Sequence, residues 1–321
     1  KSEEGVGMQL NNVFITGATG FIGSHLCGAL KERNNVIALV RDNIPSEWLS
    51  EALSDCTLVR GDVTDTRLMI RVMNQYKVDK VYHTAAETIV KRAHIDPLNT
   101  YYTNVMGCVA VLEGARQTNV QKICLLNTDK IYGDRMNASV DDVMQAGEPY
   151  ATSKAIQRLI GESYAQTYGM KIISPSFCNI FGYDLNDRII PNTIKKCLRG
   201  EQPEIFVNDE SIREFIYVDD VARTLIKMMD GEYVGAFNVT AGWLSKQEEI
   251  VLKILSHFPI LKAKYVKVQL PRQIIRQSLQ SNWQLNPVMP FNEALETTIR
   301  KFRHYRKDWD VAYRTKVYKE A

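Results

Sequence analysis

Long apolar runs are missing from this sequence. None approaches the roughly 18 residues that a membrane span requires, and the N-terminus lacks the charged-then-apolar pattern of a secretory signal. We therefore expect a cytoplasmic protein that does not associate with membranes. Residues 1–7 precede Met8 and show no pattern, so we expect them to be an expression remnant outside the fold and Met8 to be the natural start.

Cysteine and histidine are also scarce, and neither is clustered. No CxxC pair, HExxH motif or group with the spacing of metal ligands is present. We predict that the protein binds no metal and that its cysteines are reduced residues of the core. The six cysteines are Cys27, Cys56, Cys108, Cys124, Cys178 and Cys197.

Charge of one sign is not in large excess either. The formal net charge is only +3, and no basic block alternates with aromatic residues, so the sequence gives no indication of nucleic-acid binding. A hydrophobic content of 45% and a charged content of 24% are typical of a globular protein. With 321 residues and no internal repeats, the chain is long enough for one large domain or two of ordinary size.

What the sequence does contain is a glycine-rich turn within residues 12–26, where an apolar run breaks and resumes at helical spacing. This pattern predicts a strand, a tight turn and a helix. Gly17 can adopt a backbone conformation that a side chain forbids, Gly20 allows a pyrophosphate to approach the main chain, and Gly23 allows the helix to pack on the strand. Because free N–H groups at the start of the helix can bind an anion, the pattern favours a dinucleotide site over a merely flexible turn.

The alternation of strand and helix continues through the first half of the chain. Apolar strands are predicted at residues 36–40, 57–63, 78–86, 122–126 and 171–174, with helical segments between them. Such βαβ units predict an α/β fold with a parallel sheet. Ligands bind at the carboxyl ends of the strands in sheets of this kind.

The end of the second strand bears on the choice of cofactor. In dinucleotide folds an acidic residue here accepts the 2′-hydroxyl of NAD, whereas an arginine favours the 2′-phosphate of NADP. Val40 occupies the acidic position and Arg41 follows it, so we expect NADP to be preferred over NAD. The alternative is that Arg41 is a solvated loop residue. Asp62, after the third strand, could accept a hydrogen bond from the adenine amino group.

Two groups of polar residues stand where chemistry is expected. Thr128, Asp129 and Lys130 follow the fifth strand, at the edge of the sheet where ligands gather. Tyr150 and Lys154 are four residues apart near the start of a helix and therefore share one face. An ammonium group beside a phenol lowers the pKa of the phenol, and an oxidised nicotinamide adds positive charge, so this pair is suited to proton abstraction.

Beyond Pro175 the alternation of strand and helix fades, which indicates a second region. Helices are predicted at residues 189–198, 221–229, 245–258 and 292–306, with a loop at 200–206. We place one domain at residues 8–173 and a second, partly interleaved with it, at residues 174–321.

Taken in order, the glycine turn, the Thr-Asp-Lys triplet, the Tyr-x-x-x-Lys pair and residues 213–220 (Arg-Glu-Phe-Ile-Tyr-Val-Asp-Asp) resemble the extended short-chain dehydrogenase/reductases that modify nucleotide sugars. The resemblance extends from Met8 to about Arg306, and the triplet is similar to that of the nucleotide-sugar 4,6-dehydratases. It implies a Rossmann-type, doubly wound parallel sheet followed by a smaller, mixed domain that holds a nucleotide sugar. It also implies a tightly bound NADP or NAD and a homodimer built on residues 99–117 and 150–168 of each subunit.

The same resemblance implies a role for each matching residue. Tyr150 would be the base that takes the proton of the sugar 4-hydroxyl, and Lys154 would hold it. Thr128 matches the residue that provides a catalytic hydroxyl group in this family. Lys130 would remove the C5 proton and Asp129 would protonate the leaving C6 hydroxyl, which requires a neutral amine and a protonated carboxyl. The cofactor-binding residues it implies are Gly17, Gly20, Phe21, Ile22, Gly23, Arg41, Asp62, Val63, Ala85, Tyr150 and Lys154. The substrate-binding residues it implies are Asn179, Arg188 and Arg213.

Several positions depart from the commoner pattern of the family. Asn127 replaces a serine and Glu214 an aspartate, and we expect neither change to matter much. Ser176 stands where an arginine often precedes the Asn-x-x-Gly turn, which leaves the anchoring of that turn open. Lys130 replaces the glutamate of the dTDP-glucose enzymes, so a CDP-, UDP- or other nucleotide sugar is at least as compatible.

Three alternatives stay open at this point. A 4-epimerase or a 4-keto reductase needs Tyr150 and Lys154 but no acid at Asp129. A non-catalytic dinucleotide sensor would keep the glycine turn, although such proteins commonly lose the tyrosine or the lysine. Finally, Asp129 and Lys130 could form an ordinary ion pair with no part in elimination.

Overall fold

The computed structural model describes residues 10–41, 46–207, 209–267 and 275–311. The expected expression remnant at residues 1–7, the expected start at Met8 and the end of the expected second domain lie outside these ranges. The strands are β1 (Asn11–Thr16), β2 (Asn34–Val40), β3 (Thr57–Arg60), β4 (Lys80–His83), β5 (Lys122–Leu125), β6 (Asn127–Thr128), β7 (Ile172–Phe177), β8 (Asn179–Phe181), β9 (Glu204–Phe206), β10 (Ile212–Tyr217), β11 (Gly235–Val239), β12 (Trp243–Lys246), β13 (Lys264–Val266) and β14 (Arg276–Gln277). The helices are α1 (Phe21–Leu30), α2 (Glu47–Ala52), α3 (Thr66–Gln75), α4 (Val90–Ile95), α5 (Pro97–Tyr101), α6 (Gly107–Thr118), α7 (Pro149–Tyr168), α8 (Ile189–Leu198), α9 (Val218–Asp230), α10 (Gln247–Leu255), α11 (Phe291–His304) and α12 (Arg306–Trp309).

The larger sheet is parallel, with the strand order β11-β7-β5-β4-β1-β2-β3 and the short β6 also paired to β7. Both faces are covered by helices, which explains the nearly continuous apolar strands. Val13 and Ile15 pack on one side together with α1 and α9, while Phe14 packs on the other with α3 and α6. This is the Rossmann-type, doubly wound fold that the sequence predicts, and its strand order reverses between β1 and β4.

The expected boundary between residues 173 and 174 falls inside β7. The sheet also includes β11, and Leu225 and Met228 of α9 pack in the same core as β1. The chain therefore returns to the first sheet well after residue 174. Sequence periodicity did not detect this return because β11 is short and follows several elements that lie elsewhere. The division into two domains stays a prediction.

The other elements pack around a smaller mixed sheet. Strand β10 pairs with β12 in antiparallel fashion and with β8 and β14 in parallel fashion. Helices α8, α10 and α11 cover it with a separate apolar core. The expected loop at residues 200–206 contains a strand, β9, which pairs with β13. None of the helices in the described part of the chain combines the length and apolar character needed to cross a membrane.

Candidate active site

A cleft of about 650 Å³ opens at the carboxyl ends of β1, β4, β6 and β7. Its lining includes all the cofactor-binding and catalytic residues proposed from the sequence, together with Asn179 and Arg188. Arg213 is not among the lining residues; it lies on β10, next to the buried Glu214. The described residues contain no group of three or more His, Cys, Asp or Glu side chains placed to hold a metal ion.

The glycine turn has the geometry that a dinucleotide requires. Gly17 has a φ of +71°, and a Cβ there would lie 2.7 Å from the backbone nitrogen of Ala85. A Cβ at Gly23 would collide with the carbonyl oxygen of Gly17, so α1 can start this close to β1 only with glycine at that position. Gly20 caps α1 without any side chain over the first helical N–H groups. The turn therefore leaves a helix N-terminus accessible to phosphate, and the residues present fit a dinucleotide.

At the far end of the cleft, Arg41 and Asp62 lie near each other. The Asp62 carboxylate accepts hydrogen bonds from the backbone nitrogen and the hydroxyl of Thr64, at 2.9 and 2.7 Å. Partial burial acts to raise the pKa of Asp62, but these bonds and the charge of Arg41 bring it below its ordinary value. Asp62 is thus a carboxylate beside Arg41, and its charge offsets part of the attraction that Arg41 exerts on a phosphate.

Trp48 and Leu49 of α2 also line this end of the cleft, and the sequence analysis missed them. The Trp48 indole donates to the Ser24 hydroxyl at 3.0 Å. Asp308, from the other end of the chain, accepts hydrogen bonds from the Ser46 hydroxyl at 2.7 Å and from the backbone nitrogens of Glu47 and Trp48 at 2.8 and 3.1 Å. Ser46, whose hydroxyl accepts from the Leu49 nitrogen at 3.2 Å, is the N-cap residue of α2 and a local signal for this helix.

Tyr150 lies in the first turn of α7, which begins at Pro149 as expected. The Glu148 side chain accepts hydrogen bonds from the backbone nitrogens of Tyr150 and Ala151, at 2.8 and 2.7 Å, and so caps the helix. Burial raises the pKa of Tyr150 to about 12, against the opposing effects of the Arg188 charge and a hydrogen bond with Thr128. The expectation that a lysine lowers this pKa is therefore wrong here, because burial outweighs the charges that oppose it.

Lys154 shares the face of α7 that carries Tyr150, but its ammonium group is hydrogen-bonded elsewhere. It donates to Oε1 of Gln157 at 2.8 Å. Burial lowers the pKa of Lys154 to about 8. In the described structure no hydrogen bond joins Lys154 to the Tyr150 hydroxyl.

Thr128 ends β6, and Asp129 and Lys130 follow it in a short 3-10 turn. The Thr128 hydroxyl donates to Oδ1 of Asp129 at 3.0 Å, while Oδ2 of Asp129 is buried and has no hydrogen-bond partner among the described residues. The Lys130 ammonium donates not to Asp129 but to Oε1 of Gln277, at 3.4 Å. Within the described ranges no ion pair joins Asp129 and Lys130, so the simple ion-pair interpretation is not what this structure contains.

Arg188 and Asn179 also line the cleft. Nε of Arg188 is 3.5 Å from a carboxylate oxygen of the buried Asp184, and its Nη2 donates to the Thr88 hydroxyl at 3.3 Å. The Asn179 amide donates to the carbonyl oxygen of Glu214 at 3.0 Å. Strand β8, which forms most of the Asn-x-x-Gly turn at residues 179–182, also pairs with β10. These main-chain bonds anchor the turn, although Ser176 replaces the arginine that is common in the family.

Asn127, which we expected to matter little, connects three parts of the site. Its Nδ2 is 3.3 Å from the carbonyl oxygen of Lys154 and 3.4 Å from the Ser174 hydroxyl, and its Oδ1 accepts from the Thr128 nitrogen at 2.9 Å. A serine has no second polar atom with which to make this set of bonds. The replacement therefore has a structural role that the sequence did not show.

Asn104 is a further residue that the sequence analysis missed. It lies in a π-helical turn, Tyr102–Met106, between α5 and α6. Its side chain accepts from the Glu87 nitrogen at 2.7 Å and donates to the Glu87 carbonyl oxygen at 3.1 Å and the Ser153 hydroxyl at 2.8 Å. These bonds tie the loop at residues 84–89, which lines the cleft, to α7. Helical periodicity alone gives no signal for such a turn.

Comparison with known proteins agrees with this geometry. The sequence profile of the NAD dependent epimerase/dehydratase family matches residues 13–239. The chain is 28% identical to a dTDP-glucose 4,6-dehydratase of Mycobacterium tuberculosis over 234 residues, which is 70% of each chain. Among solved structures, a dTDP-glucose 4,6-dehydratase from Streptomyces venezuelae with NAD bound superposes with a TM-score of 0.83 at 25% identity, over 93% of this chain and 99% of that one.

An epimerase superposes as closely. A UDP-N-acetylglucosamine 4-epimerase from Methanobrevibacter ruminantium, in complex with UDP-N-acetylmuramic acid, has a TM-score of 0.84 at 25% identity and covers 92% of this chain and 99% of that one. The overall fold is thus shared by dehydratases and epimerases. Only the side chains of the cleft can distinguish the two activities. The profile match covers most of the chain, and on that basis the protein belongs to the NAD dependent epimerase/dehydratase family.

Proposed function

We propose that this protein is a nucleotide-sugar 4,6-dehydratase, which converts an NDP-hexose into an NDP-4-keto-6-deoxyhexose. The observation that carries the proposal is the position of Asp129 and Lys130 in the same cleft as Tyr150. Oδ2 of Asp129 is buried and has no partner among the described residues, and Asp129 is one of the residues that line the cleft. A 4-epimerase has no need of an acid and a base at this position.

The first step is oxidation at C4 of the sugar. Tyr150 takes the proton of the 4-hydroxyl, and the positive charge of Arg188 stabilises the resulting phenolate. The glycine turn and the α1 N-terminus would hold the pyrophosphate of a nicotinamide dinucleotide, which would supply a hydride acceptor for C4 and a hydride donor for C6. Lys130, which takes the C5 proton, would return a proton to C5 when C6 is reduced.

The second step is loss of water across C5 and C6. A 4-keto group makes the C5 proton acidic, so an amine at Lys130 can remove it. Asp129, in its protonated form, donates a proton to the leaving C6 hydroxyl. The hydrogen bond from the Thr128 hydroxyl to Oδ1 leaves Oδ2 as the carboxyl oxygen that can carry this proton.

The substrate is identified by incubating the protein with a panel of CDP-, UDP-, GDP- and dTDP-hexoses. We expect mass spectrometry to show the loss of one water, of about 18 Da, from at least one of them. The dTDP-glucose dehydratases to which the chain is similar support the reaction class, whereas Lys130 in place of their glutamate supports a different nucleotide or sugar. A panel in which every oxidised sugar is returned only as its C4 epimer contradicts the proposal.

A 4-epimerase is the second candidate function, and the superposition on a UDP-N-acetylglucosamine 4-epimerase favours it. An epimerase would use Tyr150 and the cofactor in the same way but would release a sugar of unchanged mass. The same incubation therefore separates the two functions.

The preference between NADP and NAD is a further proposal. NAD is bound in the dehydratase structure named above, while Arg41 and the absence of an acid at Val40 support NADP here. The nearby Asp62 carboxylate weakens that argument, because it offsets the charge of Arg41. Titrating both cofactors into the protein and into Arg41→Ala tests the preference. We expect the variant to lose affinity for NADP more than for NAD, and tighter binding of NAD by the unmodified protein contradicts the assignment.

We also propose a homodimer and a cytoplasmic location. Leu98, Tyr102 and Met106 project from the helical segment of residues 97–118 at intervals of four residues, and all three are exposed. Leu159 of the neighbouring α7 is exposed as well. Large apolar side chains that share one helical face support an interface with a second copy of this chain. The cytoplasmic location rests on the sequence argument alone.

A further inference from the structure

Gln157 connects the family lysine to the central sheet. It lies one turn after Lys154 on α7 and is completely buried. Its Oε1 accepts the hydrogen bond from the Lys154 ammonium at 2.8 Å, and its Nε2 donates to the carbonyl oxygen of Leu126 at 2.9 Å. Leu126 immediately precedes Asn127 and the Thr-Asp-Lys triplet, so this bond also fixes Lys154 relative to Asp129.

The bond to Leu126 decides which way the amide faces. An amide has one acceptor end and one donor end. With Nε2 turned toward a carbonyl oxygen, Oε1 has to face the lysine. The reversed amide would place two N–H groups against the ammonium and an oxygen against the Leu126 carbonyl, which is unfavourable at both ends.

The groups that surround Lys154 supply no compensating charge. Three titratable side chains are close enough to Lys154 to interact with its charge: His83 from β4, Cys108 from α6 and Cys124 from β5. Tyr150 lies one turn earlier on α7. Burial lowers the pKa of His83 to about 3 and raises those of Tyr150 and Cys108 to about 12 and that of Cys124 still further. All four are therefore neutral at pH 7. Among the described residues, the Gln157 amide oxygen is the acceptor that solvates this buried ammonium group.

We propose that Gln157 is a positioning residue, which holds the Lys154 ammonium group in its charged form and at a fixed place beside the cleft. The proposal rests on the proposed function for the role of Lys154 in the reaction, but the contact itself does not. The neutral amide of Gln157, oriented by its bond to Leu126 just after β5, takes the place of the water that would solvate an exposed lysine. Sequence periodicity assigns Gln157 to a helix and gives it no role.

The test follows the titration of Lys154 directly. The protein is labelled with ¹³C at the ε-carbon of lysine, and the NMR resonance of Lys154 is assigned by its loss in Lys154→Arg. The variants are Gln157→Met, which keeps the length of the side chain but removes the acceptor, and Gln157→Glu, which places a carboxylate there. Gln166→Met, at an exposed position of the same helix, is the matched control.

We expect Gln157→Met to lower the pKa of Lys154 by about one pH unit or more, since the ammonium loses its acceptor in a buried site. Gln157→Glu should raise it by at least as much, while Gln166→Met leaves it unchanged. If Gln157→Met does not fold, the test rests on whether the pKa of Lys154 rises in Gln157→Glu. A Lys154 titration that is the same in the unmodified protein and in whichever of the two Gln157 variants folds overturns the proposal.

Activity measurements separate this proposal from the function itself. With a sugar nucleotide that loses water, the alkaline limb of the pH–rate profile should move in the same direction as the Lys154 titration. If no sugar in the panel loses water but the titration moves as expected, the dehydratase assignment fails and the positioning role stands. If water is lost and the titration does not move, the positioning role fails alone.

Discussion

At the scale of single residues, the site contains a phenol and an amine whose pKa values approach each other. Burial raises that of Tyr150 to about 12 and lowers that of Lys154 to about 8, so both groups favour their neutral forms more than they would in water. A phenolate therefore has to be stabilised by positive charge inside the cleft. Arg188 supplies part of it, and the position of Lys154 depends on Gln157.

Removing the Tyr150 hydroxyl should abolish turnover but not binding. We expect Tyr150→Phe to bind cofactor and sugar nucleotide nearly as well as the unmodified protein, because only the proton acceptor is lost. Turnover should fall by about 10²- to 10⁴-fold. Isothermal titration calorimetry and mass spectrometry of the product measure the two effects, with Tyr168→Phe on the same helix as control. Near-normal turnover of Tyr150→Phe would show that another group is the base.

Asp129 and Lys130 should act after the C4 oxidation. Asp129→Asn keeps the shape of the side chain but cannot donate the same proton, so elimination should slow by about 10²-fold or more. Lys130→Met should suppress exchange of the C5 hydrogen with solvent deuterium without weakening substrate binding. The exposed Asp141→Asn and Lys171→Met are matched controls. If water loss proceeds at the normal rate in both active-site variants, these residues have no part in the elimination.

At the scale of elements, the parts of the fold with local signals were predictable. The glycine turn, the apolar strands and the start of α7 at Pro149 each rest on residues a few positions apart. The site residues that these elements carry, such as Gly17, Tyr150 and Lys154, lie in the cleft where the sequence placed them. Local pattern is sufficient here because parallel βαβ units bring the carboxyl ends of all their strands to one edge.

The rest could not be predicted, because it depends on contacts between distant parts of the chain. Lys130 donates a hydrogen bond to Gln277, 147 residues later, and the first backbone nitrogens of α2 donate to Asp308, about 260 residues later. The return of β11 to the first sheet is of the same kind. No periodicity within a single segment records which distant side chain will complete a cap or a hydrogen bond. Burial, which raises the pKa of Tyr150 where the sequence predicted a lowered one, is also a property of the assembled structure.

The cap on α2 should be important for cofactor binding, because α2 carries Trp48 and Leu49 of the cleft lining. Asp308→Ala removes the acceptor of three hydrogen bonds at the start of this helix, and loss of a cap typically costs about 1 kcal/mol. We expect the dissociation constant for NAD or NADP to rise several-fold, measured by titration calorimetry, with the exposed Glu296→Ala as control. Equal affinities would show that α2 does not contribute to the cofactor site.

At the scale of the whole molecule, the exposed apolar face of residues 97–118 should hold two copies together. The double variant Leu98→Glu, Tyr102→Glu places two charges on that face, and we expect it to be monomeric. Sedimentation velocity measures the change, with Ile260→Glu, which is 94% exposed on another part of the surface, as control. An unmodified protein that is monomeric, or a charged variant that remains dimeric, contradicts this interface.

In the proposed reaction the sugar is oxidised at C4, loses water across C5 and C6, and is reduced at C6 within one site. The most direct test uses the sugar nucleotide that the panel identifies, deuterated at C4, and follows the product by mass spectrometry and NMR. We predict a product that is lighter by one water, carries the deuterium at C6 and, in heavy water, takes up solvent deuterium at C5. A product of unchanged mass with its deuterium still at C4 would contradict the claim and identify the protein as an epimerase.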